Sequence, residues 1–336
     1  MRIGAASGAA ARSWWALARW ARRGRAGCYH PPVSSALPGS DPGPSPSPAS
    51  RAIPGAVAIF GTGLIGGSLA LALRRSGFRA PIVGWDRPEV IARAVERGVV
   101  DRAAASPEDA CAGAAVIVLA LPVGGILDLL PRVAAAAAPG ALITDTGSTK
   151  RRIVAAAEAA LRGRADIEFL GGHPMAGRAN GGLDHADAEL FSGAAWLLTG
   201  DEASASPAAR AWARQLEATG ARPIWTAAEL HDAALARVSH LPQLLSTALG
   251  LQIAEEFAAH ADWEPLRAAA GPGARDMLRL AASPYALWRD IVLTNGDEID
   301  AALTRCQQTL DWLRRNLRSR ELESAFAAAA TAIIPK

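Results

Sequence analysis

Polar residues that could carry out acid–base chemistry are concentrated in two short segments that also contain glycine. These segments are 145–150 (DTGSTK) and 171–177 (GGHPMAG). An imidazole such as that of His173 can take a proton from a substrate hydroxyl, and Ser148 can orient that hydroxyl or the imidazole. Because an isolated histidine is more often a packing or capping residue, the functional interpretation depends on the elements that position His173.

A third polar segment, 271–279 (GPGARDMLR), is predicted to be helical. Arg275 and Arg279 are four residues apart and therefore share one helix face, with Asp276 beside them. Such a face can clamp a carboxylate. From the spacing alone, a solvated cluster of surface charges is the favoured interpretation. His240, in the sequence SHLPQ, is similarly ambiguous.

The elements around these segments predict a doubly wound parallel sheet of the Rossmann type. Short apolar runs, typical of buried strands, alternate with helical stretches. We expect strands at 56–60, 80–86, 114–122, 141–147, 194–200 and 221–226, and a strand followed by a loop within 167–174. Strand alternating with helix favours an α/β fold, in which ligands bind at the carboxyl edge of the sheet. Both polar segments that contain glycine follow predicted strands, so both should lie at that edge and face a bound nicotinamide.

A glycine-rich loop, GTGLIG at 61–66, directly follows the first predicted strand and precedes a predicted helix. This G-x-G-x-x-G spacing suits a dinucleotide pyrophosphate, which can approach the glycine backbone and the helix N-terminus. Asp86 stands 20 residues beyond Gly66, at the end of the second strand. Its carboxylate would bind the ribose hydroxyls and repel a 2′-phosphate, which favours NAD, although Arg87 leaves NADP open. The residues predicted to bind the cofactor are Gly61, Gly63, Leu64, Ile65, Gly66, Asp86, Arg87, Leu121, Pro122 and Thr146.

Beyond residue 227 the pattern changes to long segments rich in Ala and Leu, without a clear strand. We expect three parts: a disordered tail (1–54), a dinucleotide-binding domain (55–227) and an all-helical domain (228–336). The apolar content of the helices predicts burial against a partner chain, with a helical lid inside a monomer as the alternative. For residues 12–25, the alternatives are disorder or a misassigned upstream start, an Arg-rich targeting segment, and an amphipathic helix on a membrane surface.

Composition excludes several classes of protein. The 336 residues carry a net charge of +3, but residues 1–52 hold seven arginines and one acid, so the remainder is mildly acidic. A nucleic-acid partner is therefore disfavoured. The three cysteines are far apart and the histidines lack metal-ligand spacing, so we expect neither a disulfide framework nor a metal site. Every long apolar run is interrupted, which disfavours a membrane span.

Together, the motifs carry a resemblance to a known family. GTGLIGGS, TDTGSTK, GGHPMAG, SHLPQ, and RDMLR followed by LWRDI occur in that order. In these motifs the chain resembles the prephenate/arogenate (cyclohexadienyl) dehydrogenase family of tyrosine biosynthesis, over roughly residues 55–320. The glycine loop is shared by many enzymes, whereas HPMAG together with SHLP and R-D-x-x-R is much more specific.

The resemblance implies a cytoplasmic homodimer that decarboxylates prephenate oxidatively to 4-hydroxyphenylpyruvate. Hydride would pass from ring carbon C4 to NAD(P)⁺, and no metal would be needed. By match to the family motifs, His173 would accept the proton of the C4 hydroxyl and Ser148 would help to hold that hydroxyl. Arg279 would bind a substrate carboxylate, with Asp276 in its ion network. Three further residues match a basic or site-lining position of the family: Arg275, His240 and Trp288.

Two departures from the family pattern affect the expected substrate. Many members that use prephenate carry Thr-Glu after HPMAG, whereas this chain reads Arg178-Ala179-Asn180. The missing acidic residue keeps arogenate open as the substrate. The SHLP motif is often followed by His, which is replaced here by Gln243.

Two other function classes remain open from the sequence. One is another NAD-dependent hydroxyacid dehydrogenase, which would act on simple 2-hydroxy acids. The other is a non-catalytic dinucleotide sensor, which would bind NADH without turnover, although such a sensor need not retain His173, Ser148 and Arg279. The flanks lack the length for a fused mutase or regulatory domain, so we expect a monofunctional enzyme.

Overall fold

The computed structural model describes residue 53, residues 55–178 and residues 180–331 of the chain. The predicted tail lies almost wholly outside the described residues, as do the three interpretations of residues 12–25 and the departure at Ala179. Within the described part, no helix is both long and apolar enough to cross a membrane.

A six-stranded parallel sheet forms the centre of the N-terminal half. Its strands are β1 (Ala56–Phe60), β2 (Ile82–Trp85), β3 (Arg102–Ala103), β4 (Ala114–Leu119), β5 (Leu142–Asp145) and β6 (Glu168–Leu170). Their order across the sheet is β3-β2-β1-β4-β5-β6, and every adjacent pair is parallel. The strand order therefore reverses between β1 and β4, which is where open α/β sheets bind ligands.

Helices connect the strands of this sheet. They are α1 (Leu64–Arg75), α2 (Pro88–Glu96), α3 (Pro107–Cys111), α4 (Val123–Ala136) and α5 (Arg151–Ala160). Alternate residues of β1 enter two different hydrophobic clusters, with Val57 and Ile59 in one and Ala58 and Phe60 in the other. Because strand side chains alternate between faces, both faces of the sheet are buried, which explains the continuous apolar run of β1. The sequence predicted these strands but missed the short β3 and α3.

The last three strands form a separate sheet, where a continuation of the parallel sheet was expected. They are β7 (Gly172–Pro174), β8 (Ala195–Thr199) and β9 (Arg222–Thr226), with α6 (Pro207–Ala218) before β9. β7 pairs antiparallel with β8, and β8 pairs parallel with β9. The segment 167–174, predicted as a strand followed by a loop, therefore contains two strands, β6 and β7, which Gly171 separates and which belong to different sheets. A side chain at Gly172 would collide with the Asp145 carbonyl oxygen, at 2.5 Å, so this crossing requires glycine.

After Thr226 the described residues contain helices and no strand. The α-helices are α7 (Ala228–Leu235), α8 (Leu241–Ala259), α9 (Pro272–Leu278), α10 (Tyr285–Thr294), α11 (Gly296–Arg315) and α12 (Glu321–Ala330). A π-helical turn, Ala236–His240, joins α7 to α8. Such turns are frequent at functional sites. Only a small cluster of buried apolar residues, Ala236, Ile291 and Ile299, forms the core of this half.

Candidate active site

The backbone of the glycine loop is in close contact with the protein at Gly61 and Gly66, and it is uncovered at Gly63. Gly61 has a φ of +91°, and a Cβ there would lie 2.3 Å from the Ala120 carbonyl oxygen. A Cβ on Gly66 would lie 1.8 Å from the Gly61 oxygen, whereas one on Gly63 would meet nothing within 4 Å. Gly63 is also the N-cap of α1, whose first turn has neither a capping side chain nor an acidic residue. The loop therefore offers uncovered backbone and a positive helix end, which fits a dinucleotide pyrophosphate.

Asp86 is fixed at the end of β2 by three hydrogen bonds. Its Oδ2 accepts from the backbone N–H of Thr62 at 2.6 Å and from the Thr62 hydroxyl at 3.2 Å. Its Oδ1 accepts from the Arg87 N–H at 2.7 Å. A carboxylate has about four acceptor positions, so Asp86 keeps capacity for ribose hydroxyls. The Arg87 side chain is 76% exposed, and its Nε lies 4.0 Å from Asp86 Oδ1 and 3.7 Å from Glu89 Oε1.

The other predicted cofactor residues lie around the same edge. Leu64 and Ile65 open α1, Leu121 and Pro122 follow β4, and Thr146 follows β5. Leu121 and Thr146 are partly buried, and Pro122 is exposed. The edge of the sheet where the strand order reverses therefore carries every residue predicted to bind the nucleotide.

A buried ion pair fixes the backbone beside His173. The Lys150 ammonium contacts the Asp145 carboxylate, and both side chains are fully buried. Lys150 Nζ donates to the Gly172 carbonyl at 2.7 Å, and Asp145 Oδ1 accepts from the Gly172 N–H at 2.9 Å. Burial lowers the pKa of Lys150, and the contact with Asp145 opposes that shift. Since both polar groups of Gly172 are held, the position of the next residue, His173, is defined.

His173 lies at one end of a buried line of polar side chains that continues through His231 to Asp232. Its Nδ1 is 2.9 Å from Nε2 of His231, and Nδ1 of His231 is 2.8 Å from Oδ1 of Asp232. Asp232 also accepts from the backbone N–H of Lys150 at 2.7 Å and of Arg151 at 3.0 Å. His231 and Asp232 belong to α7, so the line joins the helical half to the sheet half.

The surroundings keep the imidazole of His173 neutral. Burial lowers the pKa of His173 well below that of an exposed imidazole, and Coulombic repulsion from His231, Lys150 and His240 lowers it further. A neutral imidazole has one free lone pair. Since Nε2 has no hydrogen-bond partner among the described residues, His173 can accept a proton there.

His240 and Trp288 lie together beside this line. The two rings meet edge to face, with centroids 5.9 Å apart. His240 ends the π-helical turn and is buried, which lowers its pKa to about 4. Asn295 Nδ2 lies 2.9 Å from the Asp232 carbonyl oxygen and 3.4 Å from His240 Nδ1. The structure thus brings His240 and Trp288 to the same end of the helical half as His231.

The predicted carboxylate clamp differs in geometry from the sequence expectation. Arg275 lies in α9, but α9 ends at Leu278 and Arg279 begins a 3-10 turn, so the two arginines do not share one continuous α-helix. Arg275, Asp276 and Arg279 are exposed and form no ion pair with any described residue. An ion network of Asp276 with Arg279 is therefore not formed among the described residues. Both guanidinium groups remain free to bind an anion.

Ser148 is half-buried after β5 and makes no hydrogen bond to His173 in the described structure. No feature of the sequence indicated the roles of His231 and Asp232, because a His-Asp pair near a helix start carries no signal of burial. The available signal for Lys150 was that lysine is rare in this chain, which contains only Lys150 and Lys336.

Comparisons with known proteins identify the family. The family model described as "Prephenate dehydrogenase, nucleotide-binding domain" matches residues 69–225, and "Prephenate dehydrogenase, dimerization domain" matches residues 227–329. A prephenate dehydrogenase of Bacillus subtilis is 34% identical over 280 residues, covering 82% of this chain and 74% of the relative. A cyclohexadienyl dehydrogenase of Zymomonas mobilis is 31% identical over 268 residues, covering 79% of this chain and 89% of the relative.

Solved structures agree with these sequence matches. Prephenate dehydrogenase from Aquifex aeolicus, in complex with hydroxyphenyl propionate and NAD⁺, superposes with a TM-score of 0.71 at 29% identity, covering 82% of this chain and 95% of that one. Synechocystis arogenate dehydrogenase gives a TM-score of 0.70 at 30% identity, covering 82% and 98%. With both family domains matched in order and the dinucleotide loop formed, this chain belongs to the prephenate dehydrogenase family of NAD-dependent oxidoreductases.

Proposed function

We propose that the protein catalyses the oxidative decarboxylation of prephenate to 4-hydroxyphenylpyruvate, CO₂ and NADH, with His173 as the catalytic base. The observation that carries this proposal is the neutral, buried His173, whose Nε2 is unpaired among the described residues at the edge of the sheet that holds the glycine loop. The family membership supports the type of reaction, and the geometry supports His173 as its catalytic base.

His173 has two tasks in this reaction. Its Nε2 accepts the proton of the C4 hydroxyl as C4 becomes a carbonyl carbon. When the ring carboxylate leaves as CO₂, its bonding electrons enter the ring, and the oxygen takes the proton back to form the phenol. Bound NAD⁺ would accept the hydride. The residues that would hold it are Gly61, Gly63, Gly66 and Asp86. Ser148 would orient the C4 hydroxyl toward the imidazole.

Arg279 and Arg275 are proposed to hold the carboxylate of the substrate side chain. Both guanidinium groups are exposed and lack a described anionic partner, so a dianionic substrate would not have to break an existing ion pair. Asp276, His240 and Trp288 would complete the substrate site. Gln243 Nε2 donates to the Leu280 carbonyl at 2.8 Å and thereby ties α8 to the turn that begins with Arg279.

Arogenate is a second candidate substrate, supported by a specific feature of the sequence. The segment after HPMAG lacks the acidic residue found in many prephenate-using members, and its Arg178 pairs with Asp187. The similarity to Synechocystis arogenate dehydrogenase and to a cyclohexadienyl dehydrogenase is compatible with both substrates. NADP remains an alternative cofactor because Arg87, exposed beside Asp86, carries the positive charge with which a 2′-phosphate would pair.

We further propose a homodimer formed through the helical half, in the cytoplasm, without nucleic-acid or membrane partners. Large apolar side chains remain exposed on several helices of that half, including Leu251, Leu287 and Phe326, and a second copy would cover them. The proposed domain limits are 55–227 for nucleotide binding and 228–336 for the helical domain, with residues 1–54 as a tail that carries no site residue.

The test is a set of initial rates of reduced-cofactor formation by the purified full-length protein. Prephenate and arogenate are each combined with NAD⁺ and NADP⁺. We expect the highest kcat/KM with prephenate and NAD⁺. A preference for arogenate would identify residues 178–180 as the first determinant to exchange. No turnover in any combination, from protein that still binds NADH, would overturn the proposal.

A further inference from the structure

We infer that His231 and Asp232 form a positioning pair, which holds His173 in the tautomer that carries its proton on Nδ1 and leaves Nε2 as the proton acceptor. This inference rests on the proposed function in one respect only, namely that His173 Nε2 is the atom that meets the substrate hydroxyl. Neither residue of the pair is required to touch the substrate.

The geometry of the pair is closed to water. Asp232 and His231 are each at most 1% exposed, and His173 is 9% exposed. The two nitrogen-to-partner distances along the line, 2.8 Å and 2.9 Å, are normal hydrogen-bond lengths. Because His231 and Asp232 are adjacent in α7, the aspartate and the first imidazole are fixed to the same helix, and only His173 belongs to a strand.

The protonation state of Asp232 determines which atom donates in each hydrogen bond along the line His173–His231–Asp232. Burial raises the pKa of Asp232, but the hydrogen bonds from His231 and from the backbone N–H groups of Arg151 and Lys150 lower it more, so that the net shift is downward. Asp232 is therefore a carboxylate at neutral pH and can only accept hydrogen bonds. The Nδ1 of His231 must then carry the proton and donate it.

The tautomer of His173 follows from that of His231. A neutral His231 that is protonated on Nδ1 has its lone pair on Nε2, so it accepts from Nδ1–H of His173. The single remaining lone pair of neutral His173 is then on Nε2. If His231 donated from Nε2 instead, His173 would hold its proton on Nε2 and could not accept the hydroxyl proton. The carboxylate of Asp232 therefore decides, through His231, whether His173 can act as a base.

Other charged groups around the pair do not replace Asp232. Lys150 and Arg151 reach it from the N-terminus of α5, and His240 reaches the same region from the π-helical turn. All three are hydrogen-bond donors or weak bases here, and none can accept the Nδ1 proton of His231 in the arrangement described. Asp232 is thus the one described carboxylate in contact with the imidazole line.

The first test is Asp232→Ala, which removes the carboxylate that accepts the Nδ1 proton of His231. Without that acceptor nothing holds the proton of His231 on Nδ1, so we expect kcat to fall by at least about tenfold, with little change in KM or in NADH affinity. Asp297→Ala is the matched control, because Asp297 also pairs with Arg151 at 2.5 Å but contacts no imidazole. An equal kcat in Asp232→Ala and the control would overturn the inference.

The second test separates positioning from folding. In His231→Gln, the amide oxygen can stand near the position of Nε2 and accept from His173, whereas His231→Leu removes the acceptor. We expect the kcat of His231→Gln to be at least tenfold higher than that of His231→Leu, while the two variants have similar melting temperatures. The difference depends on the hydrogen-bond acceptor for His173 and not on packing. Equal loss in both variants would contradict the positioning role.

The third test needs no turnover and so remains decisive if the substrate proposal fails. In ¹⁵N-labelled full-length protein, long-range ¹H–¹⁵N spectra distinguish protonated from unprotonated imidazole nitrogens, and His173→Asn identifies the His173 signals. We expect a single Nδ1–H tautomer of His173 in the wild-type protein and the loss of that single tautomer in Asp232→Ala. An Nε2–H tautomer of His173 in the wild-type protein would refute the positioning pair.

Discussion

At the scale of single residues, the proposed site depends on polar groups that are each held by another polar group. His173 is buried against a second histidine, and the backbone before it is held by the Lys150–Asp145 pair. A buried ion pair contributes little net stability, since desolvation offsets its attraction. Its value here is geometric, because it fixes both the N–H and the carbonyl of Gly172.

The direct test of the base is His173→Asn. Asparagine keeps a polar side chain in the pocket but lacks a group that can take the hydroxyl proton, so kcat should fall by roughly 10²–10⁴-fold with a small change in KM. Initial rates with saturating NAD⁺ measure both parameters. Near-normal turnover in a folded variant would remove His173 from this role.

The sequence indicated candidate catalytic residues but not the groups that hold them. His173 and Ser148 could be singled out because loops that contain glycine and follow strands lie at a defined edge of a parallel sheet, and their catalytic roles stay predictions. The contact of His231 with His173 joins residues 58 positions apart, and local spacing carries no information about such a pairing. The separate positions of Arg275 and Arg279 were missed because helix periodicity does not reveal where α9 tightens into a 3-10 turn.

At the scale of elements, two helices of the sheet half begin against carboxylates of the helical half. Neither α4 nor α5 has a capping side chain or an acidic residue in its first turn. The Gly124 N–H of α4 donates to Asp290 Oδ2 at 2.8 Å, and the first N–H groups of α5 donate to Asp232. A carboxylate at a helix N-terminus is stabilising. The two halves are therefore joined at the same edge of the sheet that carries the proposed site.

Gly124→Ala tests this contact, and Gly125→Ala is its matched control. A Cβ on Gly124 would lie 2.8 Å from Asp290 Oδ2, whereas one on Gly125 would lie 3.5 Å from its nearest neighbour, Leu121 Cβ. In the first turn of α4, alanine favours the helix by roughly 0.5–1 kcal/mol over glycine. We expect Gly125→Ala to be neutral or stabilising.

For Gly124→Ala we expect a decrease of about 1–2 kcal/mol in the free energy of unfolding, because the charge-assisted hydrogen bond to Asp290 must lengthen. Urea unfolding followed by circular dichroism measures both variants at one protein concentration. If both alanines changed the stability equally, the docking of Asp290 on α4 would not be a stabilising contact.

Most of the strands and helices were predictable from the sequence. Each element that the sequence did not predict has a physical reason. The apolar runs of β1, β4 and β5 are continuous because both faces of those strands are buried. The sequence predicts a strand followed by a loop at 167–174, but after Gly171 the chain leaves the parallel sheet and the second part of the segment forms β7 of the other sheet. The two-residue β3 pairs only with β2, and so short a strand has no periodicity to recognise.

At the scale of the whole molecule, the candidate site is assembled from both halves. His173 and Lys150 come from the sheet half, and His231, Asp232 and His240 come from the helical half. Thr149 and Thr294 also share a buried hydrogen bond of 2.8 Å between the halves. His173 and His240 are buried in this seam between the halves and have lowered pKa values, so protons added to them should weaken the association of the halves.

The pH dependence of stability tests this arrangement. Burial lowers the pKa of His240 to about 4 from an ordinary value of 6.5, and the pKa of His173 is lowered in the same direction. The unfolded chain therefore binds protons below pH 6.5 that the folded protein does not bind, and stability must fall as the pH decreases toward 4. From His240 alone, the loss over this window is at most about 3 kcal/mol.

Chemical unfolding at a series of pH values from 7.5 to 4, at one protein concentration, measures the slope directly. His240→Gln should flatten the curve between about pH 6.5 and 4, because the titrating group is gone from both states. His260→Gln, which changes an exposed histidine, should leave the wild-type slope in place. A wild-type free energy of unfolding that stays constant over this window would show that the histidines at the seam bind protons without destabilising the folded protein. The proposal that the active site contains neutral, buried histidines would then be wrong.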